Sequence, residues 1–388
     1  MRITLVSSSL SSGGAERVLV LLAEGFQKNG HRVTGVTFYG TDQDFYKLPD
    51  GVQRLALDIV GNSPTLLHAL WHKVYRLWVL RRAIQSTQPD VVISFIDQMN
   101  VLTSLALTKT GYPLIATEHC DPSMFSYGLI WEKLRRLTYP NIERIVSVSK
   151  GVDRYFDWLP KAKRAVIYNP LAPIVLSQTK GKHTSQSLFE PFSPPNTTRS
   201  PKEHPASARL LVAMGRLTQQ KGFDLLLQAF ARLAYRHPEW TLTILGEGEL
   251  RTELESLRNS LGLSERVHLP GVVKNPYEIL LQADIFVMSS RFEGFGNVLI
   301  EAMACGVPVI STDCPSGPNE IIRDGVDGIL VPNQDVDALA AAMDRLMSDE
   351  KERKRLSVGG IEAVERFSLE KIMGMWEKLL AQVVEERI

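Results

Sequence analysis

One pattern constrains this chain more than any other: a strand, a loop of small residues and an amphipathic helix follow one another repeatedly. In the first half, the largely apolar run Ile3–Val6 precedes a Ser- and Gly-rich loop, a helical pattern over 15–28 and a second apolar run, Val33–Phe38. This order is typical of a parallel sheet covered by its connecting helices. After Leu210 the order starts again, with an amphipathic helix over 223–236 between two strands.

A change in composition separates the two halves. Residues 171–208 are rich in Ser, Thr, Pro and Lys, as in an interdomain linker or an insertion. We therefore predict a first domain over 1–170 and a second over 209–367. The apolar stripe of the helix over 368–388 needs a partner, so we expect this helix to cross back to the first domain. The predicted fold class is α/β, with two Rossmann-like parallel-sheet domains facing a cleft, where ligands bind beyond the carboxyl ends of strands.

Composition excludes several classes of protein. The 44 basic and 43 acidic residues leave a net charge of +1, so we expect no nucleic-acid partner. Three cysteines without zinc-site or disulfide-framework spacing indicate reduced thiols in a cytoplasmic protein. The sequence shows no apolar stretch of about 18 residues and no secretory signal pattern, so we expect no membrane-spanning helix.

Two acidic residues separated by seven positions form the strongest motif. Glu293 lies in a loop that Gly294 and Gly296 loosen, and a helix is predicted to begin near Asn297. The N-terminus of a helix offers unpaired N–H groups and a positive dipole end, which suit a phosphate. Glu301, about one turn into that helix, is suited to accept hydrogen bonds from a ribose diol. A solvated surface acid is the alternative, and the apolar run VLIEAMA around Glu301 argues against it.

Two cations follow the first strand of the second half. Arg216 and Lys221 lie between that strand and the next helix, where they can stabilise the charge that develops on a leaving diphosphate without a metal ion. Two surface cations flanking a helix start are the alternative.

A glycine pair follows the first strand of the chain. Gly13 and Gly14 permit a positive φ and a close backbone approach to an anion or sugar, although a plain tight turn explains them equally. They do not form the GxGxxG fingerprint, which disfavours an NAD-dependent oxidoreductase.

Together these motifs resemble the family 4 retaining glycosyltransferases, which have the two-domain GT-B fold. The resemblance lies in the E-x7-E pair, in Gly215-Arg216-Leu217 with Lys221-Gly222, in the GGAER run at 13–17, in Ser147–Lys150 and in Tyr168–Pro170. It implies a UDP-sugar donor, no cofactor and no metal. The implied donor-binding residues are Gly14, Arg216, Lys221, Glu293, Gly294, Phe295, Gly296, Asn297, Val298 and Glu301. The implied catalytic residues are Glu293, His119, Arg216 and Lys221.

His119 follows a predicted strand over 114–117. The family often has a histidine at this strand end, near the donor sugar, followed directly by Asp; here the order is Glu118-His119-Cys120-Asp121. A structural histidine is the alternative reading of this residue.

Two basic and aromatic helices, over 67–84 and 131–139, are candidates for a membrane interface or for packed surface helices. Further similarity points to the subgroup that adds N-acetylgalactosamine to undecaprenyl-diphosphate-linked glycans, in which a basic helix binds the acceptor diphosphate. The implied acceptor-binding residues are Gly13, Glu16, Lys73, Arg76, Arg81 and Arg82.

We therefore predict a glycosyltransferase that moves an N-acetylhexosamine or hexose from a UDP-sugar to a glycan acceptor linked to polyprenyl diphosphate. We expect a cytoplasmic protein, peripheral on the inner face of the plasma membrane. The alternatives are a GT-B sugar-nucleotide epimerase or phosphorylase, a transferase with a soluble acceptor, and a non-catalytic nucleotide-sugar-binding module.

Overall fold

The structure is a computed structural model that describes residues 1–42, 44–59, 66–124, 128–172 and 209–386, with the backbone alone at 66–71 and 73. The chain divides into two compact units. The first unit is Met1–Pro170 with Phe367–Ile388, and the second is Leu171–Arg366. Most of the predicted linker, residues 173–208, lies outside the described residues.

A parallel sheet forms the centre of the first unit. Its strands, in the described residues, follow the order β3-β2-β1-β4-β5-β6-β7. They are β1 Arg2–Ser7, β2 Arg32–Thr37, β3 Gln53–Ala56, β4 Val91–Phe95, β5 Leu114–Glu118, β6 Arg144–Ser147 and β7 Arg164–Val166. Leu5 of β1 lies in register with Gly35 of β2 and Ile93 of β4. The strand order therefore reverses direction between β1 and β4.

Helices cover this sheet because its central strands are largely apolar and buried; all five residues of β4 are buried. The helices are α1 Gly14–Lys28, α2 Leu66–Thr87, α3 Asp97–Leu107, α4 Leu129–Thr138, α5 Lys150–Arg154 and α13 Leu369–Glu385. Helix α13 packs on α1, with the rings of Trp376 and Phe26 6.1 Å apart. The close approach needs Gly25, where a Cβ would lie 2.4 Å from Met373 Sδ.

The second unit repeats this architecture with the strand order β10-β9-β8-β11-β12-β13. Its strands are β8 Arg209–Met214, β9 Trp240–Leu245, β10 Val267–Gly271, β11 Ile285–Met288, β12 Val309–Asp313 and β13 Ile329–Pro332. Its helices are α6 Phe223–Leu233, α7 Arg251–Ser260, α8 Pro276–Leu280, α9 Asn297–Ala304, α10 Pro318–Ile321, α11 Val336–Ser348 and α12 Glu350–Val364. Strands β8 and β11 are neighbours, so the order reverses between them.

These two doubly wound parallel sheets confirm the predicted fold class of two Rossmann-like domains. Some boundaries differ from the prediction. Helix α6 ends at Leu233 rather than Arg236, four residues before His237, which precedes Pro238; a residue before proline disfavours helical backbone. Helix α12 ends at Val364 and continues as a 3₁₀ turn, Glu365–Phe367. In the described ranges, no helix is both long and apolar enough to cross a bilayer.

Candidate functional site

The loops that follow β8 and β11 meet at the point where the strand order of the second unit reverses. Lys221 Nζ, from the first loop, lies 2.5 Å from Glu293 Oε1, from the second. Ser290 Oγ donates a hydrogen bond of 2.7 Å to the same carboxylate oxygen. The side chains of Lys221 and Glu293 are only 15% and 8% exposed, so the ion pair is sheltered from water. In a doubly wound sheet, this crevice is where ligands bind.

Gly222 allows the two loops to approach each other. Its φ is +62°, and a Cβ would lie 2.2 Å from the carbonyl oxygen of Ser289. Ser289 Oγ also donates to the carbonyl of Lys221 at 3.0 Å. Any other residue at position 222 would strain the backbone and push the loops apart. The Lys-Gly pair in the sequence therefore has a structural as well as an electrostatic purpose.

Arg291 joins the same loops through several contacts. Its guanidinium donates two hydrogen bonds to the Asp224 carboxylate, at 2.8 and 2.7 Å, and one to the Gln219 carbonyl at 2.9 Å. Its backbone N–H donates to the Gln220 carbonyl at 2.7 Å. Burial alone would raise the pKa of Asp224, but the hydrogen bonds and charge of Arg291 leave it below its ordinary value. The sequence reasoning missed Arg291 and Asp224, because they lie 67 residues apart in the chain, and it also missed Ser290.

The glycine-rich loop passes from Glu293 into helix α9. Gly294, Phe295 and Gly296 are buried, whereas Asn297 and Val298 are partly exposed at the first turn of the helix. Gly296 has a φ of +106° and directly precedes α9, as the loosened loop predicts. A separate loop packs against this one: a Cβ on Gly317 would lie 2.0 Å from the carbonyl oxygen of Phe295.

Glu301 lies in α9 and is 4% exposed, so it does not occupy a solvated helix surface. Burial, with the nearby Glu301 charge, raises the pKa of the Cys305 thiol to about 12. Burial, with the Glu293 charge, raises the pKa of Cys314 as well. Both thiols are therefore protonated at neutral pH and are poor nucleophiles.

Arg216 is exposed and follows β8 directly. Across the described part of the chain, its guanidinium has no ion-pair or hydrogen-bond partner. The adjacent turn after β9 comes very close: a Cβ on Gly246, where φ is +140°, would lie 1.9 Å from the Gly215 carbonyl oxygen. Arg216 therefore offers an exposed cation in the same loop as Lys221.

His119 lies in the first unit, directly after β5. Thr117 Oγ1 donates its proton to the Ser94 carbonyl at 2.8 Å, so it accepts a hydrogen bond from His119 Nε2 at 3.0 Å. This network assigns the ring proton to Nε2 and leaves Nδ1 as an acceptor. Burial lowers the pKa of His119 to about 4, and the ring stacks on Phe95. At neutral pH, His119 is an uncharged hydrogen-bond acceptor.

A buried polar cluster adjoins His119. Glu118 is fully buried and accepts hydrogen bonds from Asn100 Nδ2, at 2.9 Å, and from the Tyr139 hydroxyl. Arg135 Nη2 lies 2.7 Å from Asp97 Oδ2 in the same cluster. Burial, and the nearby Asp97 charge, raise the pKa of Glu118 well above its ordinary value. The sequence reasoning missed this cluster, which ties helices α3 and α4 to the end of β5.

The glycine pair differs from its prediction. Gly13 has an extended backbone with a φ of −79°, and Gly14, the first residue of α1, is not among the glycines with positive φ. A Cβ on Gly13 would lie 2.1 Å from Glu16 Oε2, so this glycine makes room for a side chain of its own unit. Glu16 is buried and accepts a hydrogen bond from Ser11 Oγ at 3.1 Å. The carboxylate therefore occupies the helix start, where an anion was expected.

The candidate acceptor-binding cations on α2 have partners within the first unit. Arg76 Nε donates to the Ile59 carbonyl at 3.0 Å, and Arg81 Nη1 donates to the Thr108 carbonyl at 3.1 Å. The Arg82 guanidinium lies over the Trp78 ring, 4.4 Å from its centre. The side chain of Lys73 lies outside the described residues.

No cluster of His, Cys, Asp and Glu suited to a metal ion occurs among the described residues. The sequence does contain two Asp-x-Asp triplets, at 42–44 and 335–337. Asp335 accepts a hydrogen bond from the backbone of Ala338 and so begins α11, Asp337 pairs with Arg232, and Asp44 pairs with Arg54. Asp44, Asp335 and Asp337 therefore have structural partners.

Two doubly wound domains, one with paired charges at its switch point, define an α/β protein of the GT-B type. Two family profiles agree: "Glycosyltransferase Family 4" matches residues 12–173 and "Glycosyl transferases group 1" matches residues 196–362.

A curated relative from Campylobacter jejuni is 30% identical over 99% of both chains. It is the GalNAc-alpha-(1->4)-GalNAc-alpha-(1->3)-diNAcBac-PP-undecaprenol alpha-1,4-N-acetyl-D-galactosaminyltransferase. Two solved structures share the fold. Sucrose-phosphate synthase from Thermosynechococcus elongatus has a TM-score of 0.80 at 18% identity, with 100% of each chain covered. Anabaena HepE in complex with UDP has a TM-score of 0.74 at 19% identity, covering 98% of this chain and 100% of HepE. The chain belongs to the family 4 glycosyltransferases and is therefore an enzyme that transfers a sugar.

Proposed function

We propose that this enzyme transfers a sugar from a UDP-sugar, with retention of configuration and without a metal ion, to a glycan linked to polyprenyl diphosphate. One observation carries the donor assignment: Arg216 and the Lys221–Glu293 pair lie together at the switch point of the second unit. Such a site binds a diphosphate and stabilises the charge that develops on it when the sugar leaves. The complex of HepE with UDP supports a uridine nucleotide.

In this proposal, the residues of the second unit have different tasks. Arg216 and Lys221 bind the diphosphate, and Asn297 and Val298 offer it the N–H groups of the first turn of α9. Glu301 accepts hydrogen bonds from the ribose. Glu293, held by Lys221 and Ser290, orders the donor sugar and its leaving group rather than acting as a general base. The buried loop of Gly294, Phe295 and Gly296 supports these contacts.

His119 has a defined part in this proposal, because its Nδ1 accepts but does not donate a hydrogen bond. It bonds a hydroxyl of the sugar being transferred. Because its pKa is about 4, the His119 ring is a weak base, so in this proposal the leaving β-phosphate takes the acceptor proton as the acceptor attacks the same face. This step breaks the bond from the anomeric carbon to the phosphate oxygen, forms the new glycosidic bond and releases UDP with one proton.

The acceptor assignment rests on the Campylobacter relative, whose name specifies an undecaprenyl-diphosphate-linked glycan. Arg76, Arg81 and Arg82 on α2 are the described candidates for contact with that diphosphate, and Lys73, Gly13 and Glu16 remain proposals from the sequence. An acceptor of this type implies that the enzyme works at a membrane, on the cytoplasmic face where nucleotide sugars are available.

The test is UDP release by the purified enzyme from UDP-, GDP- and ADP-sugars in EDTA, with and without a polyprenyl-diphosphate-linked glycan. We expect release from one UDP-sugar only when the lipid-linked glycan is present, and an α-linked product by NMR. Release with a soluble glycan alone would overturn the acceptor assignment. Conversion of the UDP-sugar without any acceptor would indicate an epimerase, and loss of activity in EDTA would overturn the metal-independent mechanism.

A further inference from the structure

Helix α4 carries an apolar face that the first unit leaves open. Leu129, Ile130 and Leu137 are 81%, 74% and 68% exposed. At about 100° per residue, these positions lie with Lys133 and Arg136 on a single face roughly 120° wide. We call these five residues the α4 face.

A buried ion pair fixes the direction in which this face points. Arg135, on the opposite side of α4, is 5% exposed, and its guanidinium lies 2.7 Å from the Asp97 carboxylate of α3. Thr138 is also buried. Rotation of the helix to hide its leucines would pull Arg135 away from Asp97 and leave a buried charge without its partner. The α4 face is therefore held outward by the same cluster that surrounds Glu118.

The charges of the α4 face indicate its partner. It contains two cations, Lys133 and Arg136, and no acid; Glu132, beside it, bonds to Arg136 and leaves Lys133 to supply the positive charge. A second copy of this chain on a two-fold axis would bring Lys133 close to its own counterpart, because Lys133 lies near the middle of the face. A bilayer with anionic head groups instead offers an apolar layer for the leucines and phosphates for Lys133.

We propose that the α4 face is the surface by which this enzyme binds an anionic membrane. The helix lies in the plane of the interface with Leu129, Ile130 and Leu137 among the acyl chains and Lys133 at the level of the phosphates. Of the two helices that the sequence offers as membrane candidates, this inference selects α4, since Arg76 and Arg81 on α2 already donate hydrogen bonds to carbonyls of the first unit. It agrees with a lipid-linked acceptor but does not depend on the proposed donor chemistry.

The experiment is flotation of the full chain with vesicles of phosphatidylglycerol and phosphatidylethanolamine, or of phosphatidylcholine alone, without any sugar nucleotide or acceptor. We expect binding to the anionic vesicles and weaker binding to the neutral ones. The triple variant L129S/I130S/L137S should bind at least about tenfold more weakly, since each leucine moved into lipid contributes roughly that factor. Val358→Ser in the second unit, where Val358 is 60% exposed on α12, is the matched control and should bind normally.

A second variant keeps the proposal open to refutation if the triple variant fails to fold. Lys133→Glu changes no apolar contact and should abolish the preference for anionic vesicles. Normal flotation of the folded triple variant, or an unchanged preference in Lys133→Glu, would overturn the proposal. So would a wild-type chain that binds neither vesicle but forms a dimer, by light scattering, that the triple variant loses. None of these outcomes depends on transfer activity, so failure here is distinguishable from failure of the proposed reaction.

Discussion

The two units share a doubly wound strand order, yet the side chains at the carboxyl ends of their strands differ in charge. At the switch point of the second unit, Lys221 and Glu293 are both charged and paired, with Arg216 exposed beside them. At the corresponding edge of the first unit, His119 is neutral, because burial lowers its pKa to about 4. Glu118 is fully buried, with a raised pKa. The same backbone pattern therefore supports an ion pair with an exposed cation in its loop in one unit, and an uncharged histidine beside a buried polar cluster in the other.

This difference follows from the side chains that surround each strand end. Lys221 lies within reach of Glu293 because glycine at 222 lets two loops meet, so each charge has a partner. His119 has only Thr117 and the ring of Phe95 for contacts that the structure defines, and a protonated ring would lose its hydration without gaining a counter-ion. The cations of the second unit suit the diphosphate that we propose as leaving group. The uncharged ring of His119 suits a sugar hydroxyl.

Removing the charge from the second unit should have the largest effect. We expect Lys221→Ala to lower kcat for UDP release by about 10²–10³-fold, as when one preorganised charge-stabilising group is lost from an active site. The matched control is Lys354→Ala, because Lys354 also pairs with a glutamate, Glu350, but is 76% exposed. A fall of less than threefold in Lys221→Ala would contradict the contrast between the edges.

Replacing the uncharged His119 of the first unit should lower activity less than replacing Lys221. We expect His119→Ala to lower kcat/KM by roughly tenfold to a hundredfold, since a bond to a neutral acceptor contributes less than a paired charge. His119→Asn, which retains an acceptor, should recover part of the activity. His237→Ala is the control for loss of a buried histidine, because His237 bonds to Asp344 in the second unit.

The ionisation of His119 also predicts how the free energy of unfolding depends on pH. Because the folded pKa of His119 is about 4 and its unfolded value is about 6.5, the unfolded chain binds the proton more readily. The contribution of His119 to stability is therefore complete above pH 6.5 and is lost as the pH falls from about 6.5 toward 4. NMR of the imidazole nitrogens should show one neutral, Nε2-protonated ring from pH 5 to 8. A titration near pH 6.5 would remove the contrast between the two edges.

Weakening the Asp224–Arg291 contact, which joins the loops after β8 and β11, should have the next largest effect on activity. We expect Asp224→Asn to lower kcat about tenfold with little change in KM, since it weakens one charge-assisted contact that positions Lys221 and Glu293 without touching substrate. Glu352→Gln, which weakens the surface pair with Arg345, should leave both constants unchanged. An increase in KM alone would show that Asp224 contacts the donor directly.

The smallest effect is expected on helix α2. Arg82→Gln should raise the KM for a diphosphate-linked acceptor about threefold, as expected for one exposed charge, and the increase should shrink in high salt. The control is Arg232→Gln, because Arg232 is a similarly exposed arginine, 46% exposed in the second unit. Equal KM values for both variants would remove Arg82 from the acceptor site.

The sequence by itself determined the fold class and the positions of the charged motif. Buried strands alternating with amphipathic helices leave few arrangements other than parallel sheets, because each apolar face must be covered. Short, partly exposed strands such as Gln53–Ala56 lack that signal and were not predicted. Lys221 and Glu293 were recognised as candidates because they follow strands, although their direct pairing was not predicted.

Tertiary structure alone decided what each of these residues does. The Arg291–Asp224 contact and the buried Arg135–Asp97 pair join residues from separate elements. The Nε2 proton of His119 follows from the hydrogen bond of Thr117 to Ser94, which joins β5 to β4. Gly13 does not adopt the positive φ that a glycine permits, and its lack of a side chain leaves room for the Glu16 carboxylate. Charge state, tautomer and glycine conformation depend on desolvation and on neighbours within a few ångströms, and a linear pattern does not contain those distances.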